Sequence, residues 1–455
     1  MEQRIRTAIA RSGADYTEVR VERSRRSRVF YQRDKLEGLE TASELGGVVR
    51  CLKKGGWGVA VFNDLTRLEA KLAEAEKAAA LVGAKTTEPV RLAPVSAIEA
   101  HVRAEQGRDV PLRRKKERME SYNRIILAES DKIVASNVHY RDVFREITYA
   151  NSEGTYLIQE IPDTTLLLGA VASDGKGNIQ QGFEMVGEAG GFDMVLHREE
   201  AARKAAQRAT AMLDARSVGG GQYTVILDPE LAGVFIHEAF GHFCEADFLF
   251  KNPRLAKIMT VGNEFGTREL NVVDEGYIAG RRGNLPYDDE GVARQKTYLI
   301  QEGRLRGLLH SRETAAKMGA EPTGNARAVS YEHPPIVRMR NTYIENGSSS
   351  FEEMIRDIDR GVYAIRAYGG ETEFEQFSFS AAYAYEIIDG EIGGMLRDVV
   401  LTGNLFDTLR SIDRIGDDGS LFGGVGGCGK GGQNALPVTV GSPHIRIHNV
   451  TIGGK

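Results

Sequence analysis

His237, Glu238 and His242 stand within one six-residue run, His237-Glu238-Ala239-Phe240-Gly241-His242. Two imidazoles and a carboxylate so close together suggest metal chemistry, with the histidines as ligands and the glutamate as the base that deprotonates an activated water. In the familiar zinc helix the histidines are four positions apart and differ by ~40° around the axis. Here they are five apart, about 140° on an ideal helix, so a regular helix cannot aim both at one ion. The pair becomes feasible if the helix opens into a π-bulge or ends near Gly241, the residue most tolerant of an irregular backbone.

A bland reading competes: two histidines near a helix end can be a polar cluster lining the core. Three features favour chemistry. Glu238 beside the first histidine is the residue type that a metal-bound water needs. Residues 231–236 are largely apolar, so the charged motif lies on a buried helix where unpaired charge is costly. A candidate third ligand, Cys428, lies in the glycine-rich run GGVGGCGKGG at 423–432, where glycines let a thiolate approach with little obstruction.

Gly424, Gly429 and Lys430 also fit the spacing GxxxxGK of a phosphate-binding loop. The fit fails at Gly431, where Ser or Thr would touch magnesium, and an early proline replaces the following helix. Cys244, Glu245, Asp247, His444 and His448 are further candidate ligands, each more simply read as a supporting or surface group.

The elements that position these residues follow from local signals. Asp228-Pro229 caps and opens the helix carrying the motif, after a strand at 222–227. Earlier helices are expected at about 2–11, behind Asp64, near 112–128 and at about 197–214; short strands are expected at 16–21, 28–31, 47–52 and 58–62. The basic run 113–116 reads as the solvated start of its helix. Beyond a joint at 217–221, short strands alternate with turns such as Glu302-Gly303 and Asp389-Gly390; the latter is expected to join a strand ending at 388 to one at 396–401. Strands with few intervening helices imply an antiparallel sheet, possibly rolled into a barrel, carrying the motif helix in this second part.

Length supports two domains, because 455 residues exceed the ~250–300 at which a single core stops growing. Fifty-nine basic and 64 acidic residues leave a formal charge of -5, without the positive field that nucleic-acid binding needs. No apolar run approaches the ~20 residues of a membrane span. With three scattered cysteines and no signal-peptide pattern, the expected setting is soluble and cytoplasmic, without nucleic-acid or membrane partners.

HEAFGHFCEADFL, with LPYDDEG (285–291), TGNAR (323–327) and GGCGKGGQ (426–433), resembles the TldD/PmbA family of metallopeptidases, in the TldD-like branch that carries HExxxH. The resemblance is strongest at about 222–433 and weaker through the N-terminal half. It implies that His237, His242 and Cys428 ligate zinc and that Glu238 is the acid/base. It further implies an α+β fold of two domains, an N-terminal α+β domain at 1–216 and a β-rich C-terminal domain at 217–455, and a dimer, either a homodimer or a heterodimer with a metal-free PmbA-like sister, enclosing a cavity where unfolded polypeptide or peptide substrates pair as a strand. Two rival readings stay open: a nucleotide-dependent enzyme using the glycine loop, and an interaction protein with a four-ligand structural zinc.

Overall fold

The computed structural model describes residues 1–104, 110–250 and 252–453, so the expected second domain ends on two residues outside this set. The fold is α+β, with more strand than helix. All strands of a seven-stranded sheet precede Ala189, and all strands of the other sheets follow Ala215.

The N-terminal strands are much longer than local signals suggest. The expected strands at 16–21 and 28–31 are parts of one strand, Tyr16–Gln32, and 47–52 is the end of another, Lys35–Lys53. The intervening Arg- and Glu-rich residues hide the alternation, but they pair in continuous register with Ile133–Asn151, and cross-strand pairing sustains a strand where intrinsic propensity is poor. Helices Leu112–Ala128 and Glu199–Ala211 cover one face, burying Val29, Tyr31, Tyr140 and Leu166. The basic run at the start of the first helix is not wholly solvated: Lys115 is buried and bonds Ser27 Oγ at 2.9 Å and the Asp142 carboxylate. Helix Leu68–Gly83, introduced by the Asp64 cap on a short 3₁₀ turn, packs Leu72, Ala75 and Ala79 inward as its periodicity predicts.

In the C-terminal part, Gly221–Leu227, Ile445–Gly453, Val400–Asn404, Gln376–Ile388 and Arg360–Glu373 pair in a ring and close a five-stranded barrel. The sheet is not purely antiparallel, since Arg360–Glu373 lies parallel to Gly221–Leu227. Parallel neighbours require a long crossover, and residues 228–359 supply it while carrying the motif helix. The Asp389-Gly390 turn, with φ of 48° and 79°, joins Gln376–Ile388 to Glu391–Arg397 and not to the expected 396–401. Val400–Asn404 pairs instead with the start of the same long strand. The expected joint is partly built into the sheet, where Arg216–Ser217 pairs with Leu396–Arg397. Among the described residues no helix is long and apolar enough to cross a membrane.

Candidate metal centre

Helix Pro229–Ala239 starts where expected, with the Asp228 side chain accepting from Leu231 N at 2.9 Å. Leu231, Phe235, Ile236 and Ala239 join the main core of this half, which fixes the rotation of the helix and leaves His237 at its inner end. The five-residue histidine spacing is resolved by termination of the helix and not by a bulge. Phe240 is the C-cap, and a 3₁₀ turn, Gly241–Cys244, carries His242 back toward His237. The two rings lie 5.3 Å apart between centroids and nearly perpendicular. Gly241 also makes room for a neighbour: a Cβ there would sit 2.1 Å from Met339 Sδ, so the Met339 side chain would have to shift.

Cys428 reaches the same point from a distant hairpin formed by Cys428–Lys430 and Gln433–Leu436. The buried Arg338 guanidinium ties this hairpin down, donating to Cys428 O at 2.6 Å and Gln433 O at 3.2 Å. Ligand atoms of His237, His242 and Cys428 then lie within 4.8 Å of one another, with Cys428 Sγ 3.3 Å from His242 Nε2. Among the described residues, the two buried ring nitrogens of His237 find no hydrogen-bond partner of ordinary geometry. Burying an unsatisfied imidazole is costly, and a metal ion would satisfy it, so the donor set fits such an ion.

Electrostatics agree with that fit. Burial pushes the Cys428 thiol up, yet His237 and His242 outweigh it and hold the thiol at about 5, toward the thiolate that ligates metals. Burial opposes protonation of His242, but Glu245 and Cys428 raise it well above the ordinary range. Glu245, fully buried, accepts from Met339 N at 3.1 Å and contacts His242 Nδ1 at 2.9 Å and Lys430 Nζ at 2.9 Å. Although burial opposes its ionisation, His242 and Lys430 bring it down to about 2. A carboxylate on Nδ1 sets the tautomer that leaves Nε2 facing inward.

The other candidates find different places. Asp247 accepts from Lys430 at 2.6 Å. Cys244 is buried in the apolar core. His444 bonds Tyr363 and Asp418, and His448 bonds Asp413 and Thr224; neither joins the cluster. Lys430, the lysine of the glycine loop, is consumed by Glu245, Asp247 and Val337 O, and the strand Gln433–Leu436 follows it where a phosphate loop would lead into a helix. The roles of Arg338 and Met339 escaped sequence reasoning, because nothing local to 338–339 signals contact with 245 or 428. The LPYDDEG and TGNAR motifs brace the surroundings: Asp288 accepts from Ala326 N, and Arg327 donates to Met339 O.

Glu238 is the least buried member, its side chain 34% exposed and its Oε2 3.6 Å from His242 Nε2. It borders a cavity of about 190 Å³ with His237, Cys428, Met185, Val234 and the glycine loop.

The matches to known proteins bear on this geometry. The PmbA/TldA metallopeptidase C-terminal domain model matches residues 220–454, the central-domain model 105–213 and the domain 1 model 17–81. The chain belongs to the PmbA/TldD metallopeptidase family. A Synechocystis sp. protein named a metalloprotease is 41% identical over 97% of this chain and 96% of its own. A Saccharolobus solfataricus protein named a zinc metalloprotease TldD homolog is 32% identical, over 70% of each chain. A solved Thermotoga maritima structure superposes with a TM-score of 0.81 at 21% identity, covering 99% of each chain, which shows the shared fold. The chain is accordingly a metallopeptidase.

Proposed function

We propose that His237, His242 and Cys428 hold a zinc ion and that Glu238 is the general base of a peptidase acting on unfolded polypeptides. The observation that carries this reading is the convergence of three ligand atoms within 4.8 Å beside a partly exposed glutamate at a cavity. The name of the Saccharolobus relative supports zinc. A zinc ion held by these three residues would supply Lewis acidity for the scissile carbonyl and the attacking water. Glu238 takes the proton of the attacking water and returns it to the leaving amine. His242, held by Glu245, and Cys428, held through its loop by Arg338, keep the donor atoms in place. The Glu245 carboxylate already engages His242, Lys430 and Met339 N, which argues against a four-ligand structural zinc. Consumption of Lys430 argues against a nucleotide loop.

The polypeptide is proposed to lie extended beside the motif helix, within a cavity closed by a second subunit, either another copy of this chain or a metal-free PmbA-like sister, in the cytoplasm. Main-chain pairing grips only segments free to adopt strand geometry. Incubation with casein-like and with stably folded substrates should therefore give rapid cleavage of the first and little of the second. Equal rates on both would contradict the enclosed-cavity reading. Light scattering at micromolar concentration should report a dimer, and a fully active monomer would count against the closing subunit.

A further inference from the structure

The long N-terminal strands present a face with two regimes. Near the C-terminal part, Glu18, Arg20 and Glu22 are buried, with Arg20 3.3 Å from Asp289. Past Ser24 the same face is open: Arg26, Arg28 and Arg141 are exposed and Arg145 partly so. Register places these residues together, with Ser24 opposite Arg145, Arg26 opposite Val143 and Arg28 opposite Arg141. Like charges directly opposite in a sheet are unfavourable, and Glu40 offsets Arg28 alone, which leaves the Arg26, Arg141 and Arg145 side of the face open to an anionic ligand. The acidic groups on that face are already engaged. Asp163 is bound by Arg282 at 2.7 and 2.9 Å, Glu44 accepts from Tyr331, and Glu40 lies 3.5 Å from Arg28. Among the described residues, the guanidinium groups of Arg26, Arg141 and Arg145 make no ion pair or hydrogen bond, and the Thr165 hydroxyl engages Arg141 through its backbone carbonyl. Desolvation against the sheet and the charges of Arg282, Arg145 and Arg26 lower the Arg141 guanidinium from its ordinary range, opposed by Asp163.

This face runs into the metal site. The row Arg28, Arg141 and Thr165 ends at Gly187, where a Cβ would sit 1.7 Å from Gly424 O; strand Ile179–Glu188 and the glycine loop meet backbone to backbone. Arg141 is two strands from Gly187, about 10 Å. The adjacent row, Phe30, His139 and Leu167, ends at Met185, which lines the cavity beside His237 and Glu238. Arg282 links the two regions, donating to the carbonyls of Gly423, Gly424 and Gly426. A strip of apolar and aromatic side chains flanked by unpaired arginines therefore leads away from the reacting centre.

We propose that this strip is the docking track for the substrate polypeptide on one side of the scissile bond, and that it selects acidic segments. The proposal rests on the peptidase reading above. An extended acidic chain supplies carboxylates at strand spacing to Arg26, Arg141 and Arg145 while apolar side chains lie on Phe30 and Leu167.

The test uses the full chain and two unstructured peptides with the same central segment, one with a Glu- and Asp-rich flank and one with Gln and Asn in its place. Wild type should cleave the acidic peptide with a kcat/KM about 10-fold higher at low salt, and 0.5 M salt should erode the preference. Arg26→Gln/Arg141→Gln/Arg145→Gln should bring the ratio near one, and Arg26→Glu/Arg141→Glu/Arg145→Glu should bring it below one. An unchanged ratio in these variants, or none in wild type, overturns the proposal. Binding separates its failure from that of the peptidase reading. Fluorescence anisotropy of the labelled acidic peptide on Glu238→Gln protein should weaken about 10-fold in the triple variant even if neither peptide is cleaved. Tighter binding of a single-stranded oligonucleotide than of the acidic peptide would reassign the face to nucleic acid. Loss of the dimer with unaltered peptide affinity would reassign it to a subunit contact.

Discussion

Glu238→Gln is expected to retain about one zinc per chain, the stoichiometry of a three-ligand catalytic site, while peptide hydrolysis falls by ~10²-fold or more. The substitution keeps the side chain's size and removes its basicity. Its surroundings tolerate the change, because Glu238 is the most exposed of the four residues and its Oε2 stands 3.6 Å from His242 Nε2, beyond hydrogen-bond distance. The ligand atoms are held by other groups: Glu245 on His242, and Arg338 on the Cys428 hairpin. Metal analysis and cleavage of an unstructured peptide, on the same preparation, give the answer. Loss of zinc from this variant would make Glu238 a ligand and the proposed proton transfer wrong.

Cys428→Ala is expected to lose both zinc and activity at working zinc concentrations, the larger effect of the two. The thiol is buried and sits between two imidazoles that favour its ionised form, and ligand loss removes a charged donor from a set of three. The fold should survive, because Arg338 grips the hairpin through backbone carbonyls that alanine retains. Circular dichroism checks that point, so an unfolded variant is not mistaken for a metal-free one. Tightly bound zinc in folded Cys428→Ala protein would place the third ligand elsewhere, with Glu245 and Asp247 as the first alternatives.

The two substitutions probe residues that differ greatly in how visible they are from sequence. Glu238 is readable because its helix announces itself: Asp228-Pro229 opens it, an apolar run buries it, and the motif sits where a base is useful. The odd histidine spacing left two backbone solutions, and the structure takes the simpler one, ending the helix at Phe240. Cys428 stood out only as a cysteine among glycines, with nothing local to say that it faces His237. Lys430 shows the opposite error available to a motif search. Its glycine context imitates a phosphate loop, while its ammonium neutralises Glu245 and Asp247 behind the metal ligands.

Sequence alone determined what depends on neighbours within a few turns: the caps, the periodic helices, the Glu302-Gly303 and Asp389-Gly390 turns, and the presence of ligand and base residue types. Family resemblance extended that to the α+β class and the metallopeptidase activity. Tertiary structure decided everything set by partners far along the chain. Strand Tyr16–Gln32 is continuous because Ile133–Asn151 pairs with it despite its charged middle. Lys115 is buried because Asp142 and Ser27 await it. Glu245 orients His242 because Lys430, 185 positions later by their numbers, completes its charge. Local preferences amount to fractions of a kcal/mol per residue, whereas burying an unpaired charge costs several, so the pairing of buried charged groups overrides the local signal wherever the two disagree.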